Sequence, residues 1–389
     1  MLIPGIALLA GESPSSFVGS RVFDRKSQFV ERIGLVGLAN SGKSALFNAL
    51  TNGSAMVAAH PFSTTESVTG VAIVADSRLD ALAKISASRK VVAAHVEFTD
   101  IAGLVAGSSS GEGLGNRFLA GVREMDALCL VVRAFHDDNV SGDTDPLDAL
   151  AVLELELVMA DHATCEAHLD RRRRTARVDK SAAEEVEALE VALKVLGEGT
   201  PIYRSGLPAE VVGNLRNAFL LTNKPVFAVV NIGEEQLAEA DEIASEVSEA
   251  LGANQQAICV SVELEAELAR MDSEGRAEML AGLELGEGAL ARVAQAAYHL
   301  LGRRTFFTTG DKESRAWTFR AGAKAPECAG VIHSDLQRGF IRAEVIHWDE
   351  LIALGSWNAA KAVGKLRLEG KEYEVLDGDV LEIRFNVSK

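Results

Sequence analysis

Six short apolar runs punctuate the first two-thirds of the chain, at residues 32–36, 70–74, 94–99, 127–132, 225–230 and 256–262. Runs such as ALCLVV at 127–132 and PVFAVV at 225–230 are apolar without alternation, so a strand built from them buries both faces. Helical stretches separate the runs; SALFNALT follows the first after a Gly-containing loop. This pattern predicts an α/β fold with a doubly wound, mostly parallel sheet covered on both sides.

The periodicity changes between residues 145 and 199. Leu150, Leu153 and Leu157 recur at helical spacing, and so do Val186, Leu189, Leu193 and Leu196 beyond the basic run at 171–174. Two antiparallel helices forming a hairpin insertion over 146–199 account for this spacing. Two ordinary helices packed on the sheet would also fit. From Thr305 onward, strand-like pieces at 315–319, 339–345, 373–375 and 380–385 alternate with turns. One or two short helices fit between them, near 325–332 and 349–353, which predicts a small α+β domain over 305–389. Residues 1–31 read as a weakly ordered N-terminal extension. The nucleotide-binding domain is then expected over 32–145 and 200–304.

Composition narrows the class. The chain has 389 residues, 48% of them apolar and 24% charged, the balance of a soluble globular protein of two or three domains. Cys129, Cys165, Cys259 and Cys328 lie far apart without metal-ligand spacing, which predicts buried or free thiols in a reducing compartment. No apolar run approaches the roughly 20 residues of a membrane span, and a cytoplasmic location is expected. The net charge of −17 argues against polyanion binding by the whole surface. Beyond Thr305, however, 12 Lys and Arg face 13 Asp and Glu, so that module is nearly neutral and could present a basic face.

The first apolar run ends in Gly37-Leu38-Ala39-Asn40-Ser41-Gly42-Lys43-Ser44, which fits the phosphate-loop pattern GxxxxGK[ST] and precedes a helix. Backbone N–H groups of Leu38 through Ala45 can wrap phosphates, Lys43 neutralises the outer ones, and the Ser44 hydroxyl suits Mg²⁺. Asp100-Ile101-Ala102-Gly103 follows the third run; an acid there suits the Mg²⁺ site, and the Gly103 N–H suits a γ-phosphate. The Gly/Ser-rich stretch at 107–115 reads as a switch segment. Many GTPases carry a water-orienting Gln directly after that Gly. Here Leu104 stands instead, and slow intrinsic hydrolysis follows.

Base recognition points away from guanine. Asn223-Lys224 precedes its strand and is a decoy for the guanine motif Asn-Lys-x-Asp. After the strand comes Asn231-Ile232-Gly233-Glu234, in which Asn231 can bond a purine and Glu234 sits poorly for the guanine edge. Adenine becomes credible. Ser261-Val262-Glu263 is placed to touch the base from its other side.

With these motifs the chain resembles the YchF/Obg-like ATPases of the Obg-related translation-factor class, over essentially everything after residue 31. PFSTTE around Thr64, DIAGLVAGSSSGEGLGN at 100–116 and VVRAF at 131–135 carry the resemblance, with NKPVFAVVN leading into Asn231-x-x-Glu234. FFTTG, RAWTF, AGVIHSD, GFIRAEVI, EGK and DGDV carry it through the C-terminus. The resemblance implies a helical-hairpin insertion, a TGS-type C-terminal domain, ATP preferred over GTP, and association with ribosomes in translation or stress response. By motif, Lys43, Ser44, Thr64 and Asp100 serve phosphate and Mg²⁺, Asn231 and Glu234 read the base, and Asn40 is a candidate K⁺ ligand. Three departures stand out: Ala39 and Ser41 replace the usual Pro and Val of the loop, Leu130 stands where relatives often carry His, and Ser67 replaces a Pro.

The leading reading is a monomeric, ribosome-associated, Mg²⁺-dependent ATPase with slow turnover. A GTP-specific switch and a nucleotide-gated binding module with negligible hydrolysis are the alternatives. The run at 171–174 and the C-terminal module are the expected places to meet ribosomal RNA.

Overall fold

The computed structural model describes residues 31–51, 68–101, 114–137, 144–175, 180–283, 285–286 and 288–386. Among them, two compact units emerge, one of Glu31–Ile73 with His95–Leu301, the other of Val74–Ala94 with the chain from Gly302 onward. The chain opens with β1 (Arg32–Val36), α1 (Lys43–Thr51), β2 (Val68–Val74), α2 (Ser77–Ile85), β3 (Val91–Val92) and β4 (Ala94–Asp100). It continues through α3 (Leu114–Arg123), β5 (Ala127–Arg133), α4 (Pro146–Thr175), α5 (Lys180–Gly197), α6 (Ala209–Asn214), β6 (Val226–Asn231), α7 (Ala240–Leu251) and β7 (Ala257–Val260). Helices α8 (Val262–Leu268), α9 (Ser273–Gly282) and α10 (Ala289–Leu300) complete the first unit.

The first unit is built on a six-stranded sheet of order β2-β4-β1-β5-β6-β7, in which β4, β1, β5, β6 and β7 run parallel. All seven residues of β5 and all six of β6 are buried, as unalternating apolar runs require. The expected doubly wound core is present, and its register brings the carboxyl ends of the strands together: Leu35 lies beside Asp100, Val36 beside Leu130, Arg133 beside Asn231, and Asn231 beside Val260. In sheets of this type ligands bind at that edge.

Helix α4 is capped by Asp145, whose Oδ1 accepts from the N–H groups of Leu147 and Asp148 at 2.8 and 3.3 Å. Its first half buries Leu150, Leu153 and Leu157 in the core of the sheet, and its second half buries Val158, Cys165 and Leu169 against Leu189, Ala192 and Leu196 of α5. Both sequence readings therefore hold on different lengths of one helix. The helical pair is bridged by ion pairs from Arg172 to Glu185 and from Arg173 to Glu190, each at 2.9 Å. A fully buried Asp161 ties α4 to the segment before β6. Its carboxylate accepts from the Leu221 and Thr222 N–H groups at 2.8 and 2.7 Å and from the Thr222 hydroxyl at 2.7 Å.

The second unit contains β8 (Arg303–Thr308), β9 (Ser314–Arg320), α11 (Ala325–Ile332), α12 (Ser334–Arg338), β10 (Phe340–His347), α13 (Trp348–Leu354), α14 (Trp357–Ala362), β11 (Arg367–Glu369) and β12 (Asp379–Phe385). Its six-stranded sheet has the order β11-β10-β12-β8-β9-β3. The expected α+β texture is there with three corrections. Residues 373–375 form no strand; the backbone makes only a single bridge, Lys324 to Glu374, and the strand lies earlier at β11. The unit has four short helices from Ala325 onward rather than one or two. The segment assigned to the nucleotide-binding domain at 74–94 belongs to this unit: β3 pairs in parallel with β9, and Arg78 of α2 bonds Asp377 at 2.7 Å. Its edge is also tied by Thr309 Oγ1 donating to Ser86 Oγ at 2.7 Å and Ser88 Oγ donating to the Gly310 carbonyl at 2.6 Å.

Replacing Asp161 with Ala leaves three donors without their acceptor in a dry interior. We expect a loss of about 3 kcal/mol in urea unfolding; a change below about 0.5 kcal/mol would show that water replaces the carboxylate.

Candidate functional site

Strand β1 delivers the chain into the loop at Gly37, and α1 begins at Lys43, so the loop backbone and the helix N-terminus face one point. Two glycines are required by space and backbone. A Cβ at Gly37 would collide with the Val131 carbonyl, and one at Gly42, where φ is 87°, would collide with the Asn231 amide. Lys43 is buried, its Nζ donating to the Leu38 carbonyl at 3.3 Å within the loop. Burial pulls its ammonium below the ordinary 10.5, and the charge of Asp100 opposes that shift. An anion in the loop would restore the lost charge stabilisation.

Asp100 closes β4 opposite this loop. The Ser44 hydroxyl donates to its Oδ2 at 2.6 Å, while its Oδ1 is buried with no hydrogen-bond partner. The Ser41 hydroxyl is in the same state. Orphaned polar atoms of this kind mark places where a ligand completes the bonding.

Asn231 ends β6 and is nearly fully buried. Its Nδ2 donates to the Ser41 carbonyl at 3.3 Å, and its Oδ1 accepts from the Val262 N–H at 3.4 Å. Both ends of the amide thus bond inside the protein, joining the phosphate loop to the start of α8. Asn231 also lines the neighbouring cleft, and its amide keeps a second N–H and a second lone pair beyond these two bonds. Glu234 is exposed at the start of a 3-10 turn (Glu234–Glu239), and Gln236 rather than Glu234 caps that turn, its Oε1 accepting from Gly233 N–H at 2.9 Å. Ser261 caps α8 through Leu264 N–H at 3.5 Å.

An open cleft of about 1000 Å³ runs beside these residues, lined by Gly42, Ala45, Asn231, Glu234, Val262 and Glu263. The structure thus brings Lys43, Ser44, Asp100, Asn231, Ser261 and Val262 to one strand edge, with Leu38, Ala39, Asn40 and Ser41 in the loop. Gly103, Leu104, Thr64 and residues 107–113 of the expected switch lie outside the described residues. Leu130 is fully buried in the apolar core of the sheet. Lys224, the decoy, donates to the Arg123 carbonyl at 3.0 Å near the opposite end of β6.

Sequence reasoning missed Phe135 and Arg270, which also line the cleft. Phe135 is held in place by three contacts: its N–H donates to the Asn231 carbonyl at 3.1 Å, its carbonyl accepts from Arg133 Nε at 2.9 Å, and the Arg133 guanidinium lies 4.3 Å from its ring centre. Its position two residues beyond the buried strand and its conspicuous aromatic type were available signals.

A strand, glycine loop and helix closing on a buried lysine, with a carboxylate at the neighbouring strand end, define a P-loop nucleoside-triphosphate-binding protein. A family model described as a 50S ribosome-binding GTPase matches residues 32–160, and the YchF-GTPase C-terminal model, described as a protein of unknown function, matches residues 304–386. The chain is similar to the ribosome-binding ATPase YchF of Bacillus subtilis, 44% identical over 361 residues that cover 91% of this chain and 99% of that protein. The Haemophilus influenzae protein of the same name is 45% identical over 362 residues, covering 92% and 99%. The solved structure of the Schizosaccharomyces pombe YchF GTPase covers 91% of this chain and 98% of its own at 32% identity, with a TM-score of 0.79. This chain belongs to the YchF family.

Because burial lowers the Lys43 ammonium's pKa in the free protein, polyphosphate binding must take up a proton once the pH exceeds that lowered value. Affinity should then fall by up to about tenfold per pH unit as the pH rises toward 10.5. Calorimetric titrations of wild type and Lys43→Met check this: the variant should bind weakly with a flat profile, and a flat wild-type profile would remove Lys43 from charge compensation.

Proposed function

We propose that this chain is a cytoplasmic, ribosome-binding ATPase of slow turnover, whose nucleotide state regulates its engagement in translation or stress response. The observation that carries the reading is the Ser44–Asp100 hydrogen bond at 2.6 Å beside the buried Lys43, with a second Asp100 oxygen left without a partner. That pair fits a hard cation held by oxygen ligands. Ser44 and Asp100 would hold Mg²⁺, together with Thr64, and when bound the ion supplies charge neutralisation at the phosphate oxygens. Lys43 holds the outer phosphates, the Gly103 N–H serves the γ-phosphate, and Asn40 is the candidate for K⁺. Leu104 carries no group that could orient water, in keeping with slow hydrolysis of the β–γ bond.

Adenine is favoured by Glu234 at the cleft and by the absence of the guanine pattern after β6. Asn231, Glu234, the backbone around them and stacking on Phe135 then share the discrimination at the cleft. The named relatives carry ribosome binding and ATPase activity in their names, and full-length similarity extends both to this chain. A TGS-type assignment for the C-terminal unit fits its small mixed sheet. For the RNA contact the structure reweights one expectation. Arg172 and Arg173 are engaged by Glu185 and Glu190, and Arg171 Nε donates to the Ala167 carbonyl at 3.2 Å, so the run at 171–174 is largely a paired helix face.

Non-hydrolysable ATP should bind more tightly than the GTP analogue in a calorimetric titration, and Ile232→Lys with Glu234→Asp should narrow the gap. Equal or tighter binding of the GTP analogue by the unmodified protein would overturn the adenine reading in favour of a GTP switch.

Phosphate release separates an enzyme from a binding module. Lys43→Ala should lower turnover by at least about a hundredfold, whereas Leu104→Ala should change it by less than about threefold. Equal losses would give Leu104 a catalytic part.

A further inference from the structure

Away from the cleft, one large side chain is displayed at a backbone cost and covers little. Phe219 follows the 3-10 turn Arg216–Ala218 and adopts φ 51°, ψ 42°, the left-handed region in which a bulky residue is an outlier. Turns that close in this way ordinarily place Gly or Asn there. The residue is 67% exposed, so core burial does not explain its presence. Local flexibility does not explain it either: Leu215, Ala218, Leu220 and Leu221 are buried around it, and Leu221 and Thr222 are clamped by Asp161. A rigid mount, a strained backbone and an exposed aromatic together point to a partner.

The flanking groups indicate its chemistry. Arg216 and Asn217, three and two residues before Phe219 in the same turn, are also exposed. An apolar protein contact would be expected to surround an aromatic anchor with further apolar side chains. A cation and an amide next to an aromatic face are the set that grips an unpaired nucleotide: stacking on the base, a guanidinium on the phosphate, an amide on the base edge. In a chain of net charge −17 a polyanion must be met at such a local spot.

We propose that Arg216, Asn217 and Phe219 form a knuckle that docks an unpaired base of RNA. This rests on the ribosome-binding reading and gives it a contact point. Full-length Phe219→Gly, Phe219→Trp and Arg216→Gln are compared with wild type in thermal melts, in co-sedimentation with purified ribosomes, and in titrations of a short fluorescein-labelled oligouridine. Phe219→Gly should melt at or above the wild-type temperature, since the backbone relaxes, yet bind both RNA targets about tenfold more weakly. Phe219→Trp should keep binding, and Arg216→Gln should reduce the salt slope of log affinity by about one. A lower melting temperature with unchanged affinities would make the ring structural and overturn the proposal. Weaker ribosome binding with unaltered oligouridine affinity and salt slope would assign the contact to a ribosomal protein, also overturning it. Wild type that fails to sediment with ribosomes defeats the functional reading above, whereas the oligouridine series still decides the knuckle.

Discussion

The nucleotide site depends on one buried amide. Asn231 offers a donor and an acceptor, and the structure uses the first on the Ser41 carbonyl and the second on the Val262 N–H. Three pieces of chain that are remote in sequence meet there: the loop after β1, the end of β6 and the start of α8. A loop rich in glycine gains no rigidity of its own, because glycine gives up the most conformational freedom on folding. A buried side chain that satisfies a loop carbonyl holds the loop in the shape phosphates require. The main chain of the same residue also accepts from the Ala134 and Phe135 N–H groups at 2.8 and 3.1 Å, so the aromatic at the cleft is set by the residue that sets the loop.

Sheet register makes this convergence possible. Asn231 lies between Arg133 and Val260, and Asp100 lies beside Leu35, because parallel strands with buried faces cannot slip by one residue without turning their apolar side chains outward. The charges follow from position. Lys43 and Asp100 are placed where burial alone would be unfavourable, and two polar atoms there lack partners. The protein tolerates these costs where a ligand can offset them. The buried Asp161 shows the contrast, since both of its oxygens accept from the Leu221 and Thr222 groups around it.

Much of this was legible in the sequence, and the reasons are local. The loop from Gly37 to Ser44 announces itself because phosphate binding demands glycine and lysine at fixed spacing, and unalternating runs announce buried parallel strands. The bridge that Asn231 makes to the loop was not legible, since an Asn after a strand looks the same with or without such bonds. The C-terminal misreadings share a cause. β11 has three residues and β3 only two, too short for any period to show, and both exist because a neighbouring strand offers them bonds. Residues 373–375 look like a strand because Tyr and Val favour one, yet Tyr373 is held by its hydroxyl donating to Asp379 at 2.8 Å and Val375 by its N–H donating to the Ala323 carbonyl at 3.0 Å. Tertiary bonds override the local preference.

The placement of 74–94 changes what a domain boundary means in this chain. The backbone leaves one sheet at the end of β2, builds α2 and β3 into the second unit, and returns through β4 to Asp100. A chain ended at Thr305 would therefore not be a clean deletion of the C-terminal module. It would strip β9 from β3, remove Asp377 from Arg78, and take away the elements α2 packs against, leaving Leu79 and Leu82 to water. Two buried leucines exposed cost on the order of 3–6 kcal/mol, a large fraction of the stability of an ordinary domain. The remnant would carry a sticky helix a few residues from the strand that supplies Asp100. Loss of any activity in such a truncation would report on that damage as much as on the missing module, and point substitutions that leave β3 paired are the sharper instrument for assigning work to the C-terminal unit.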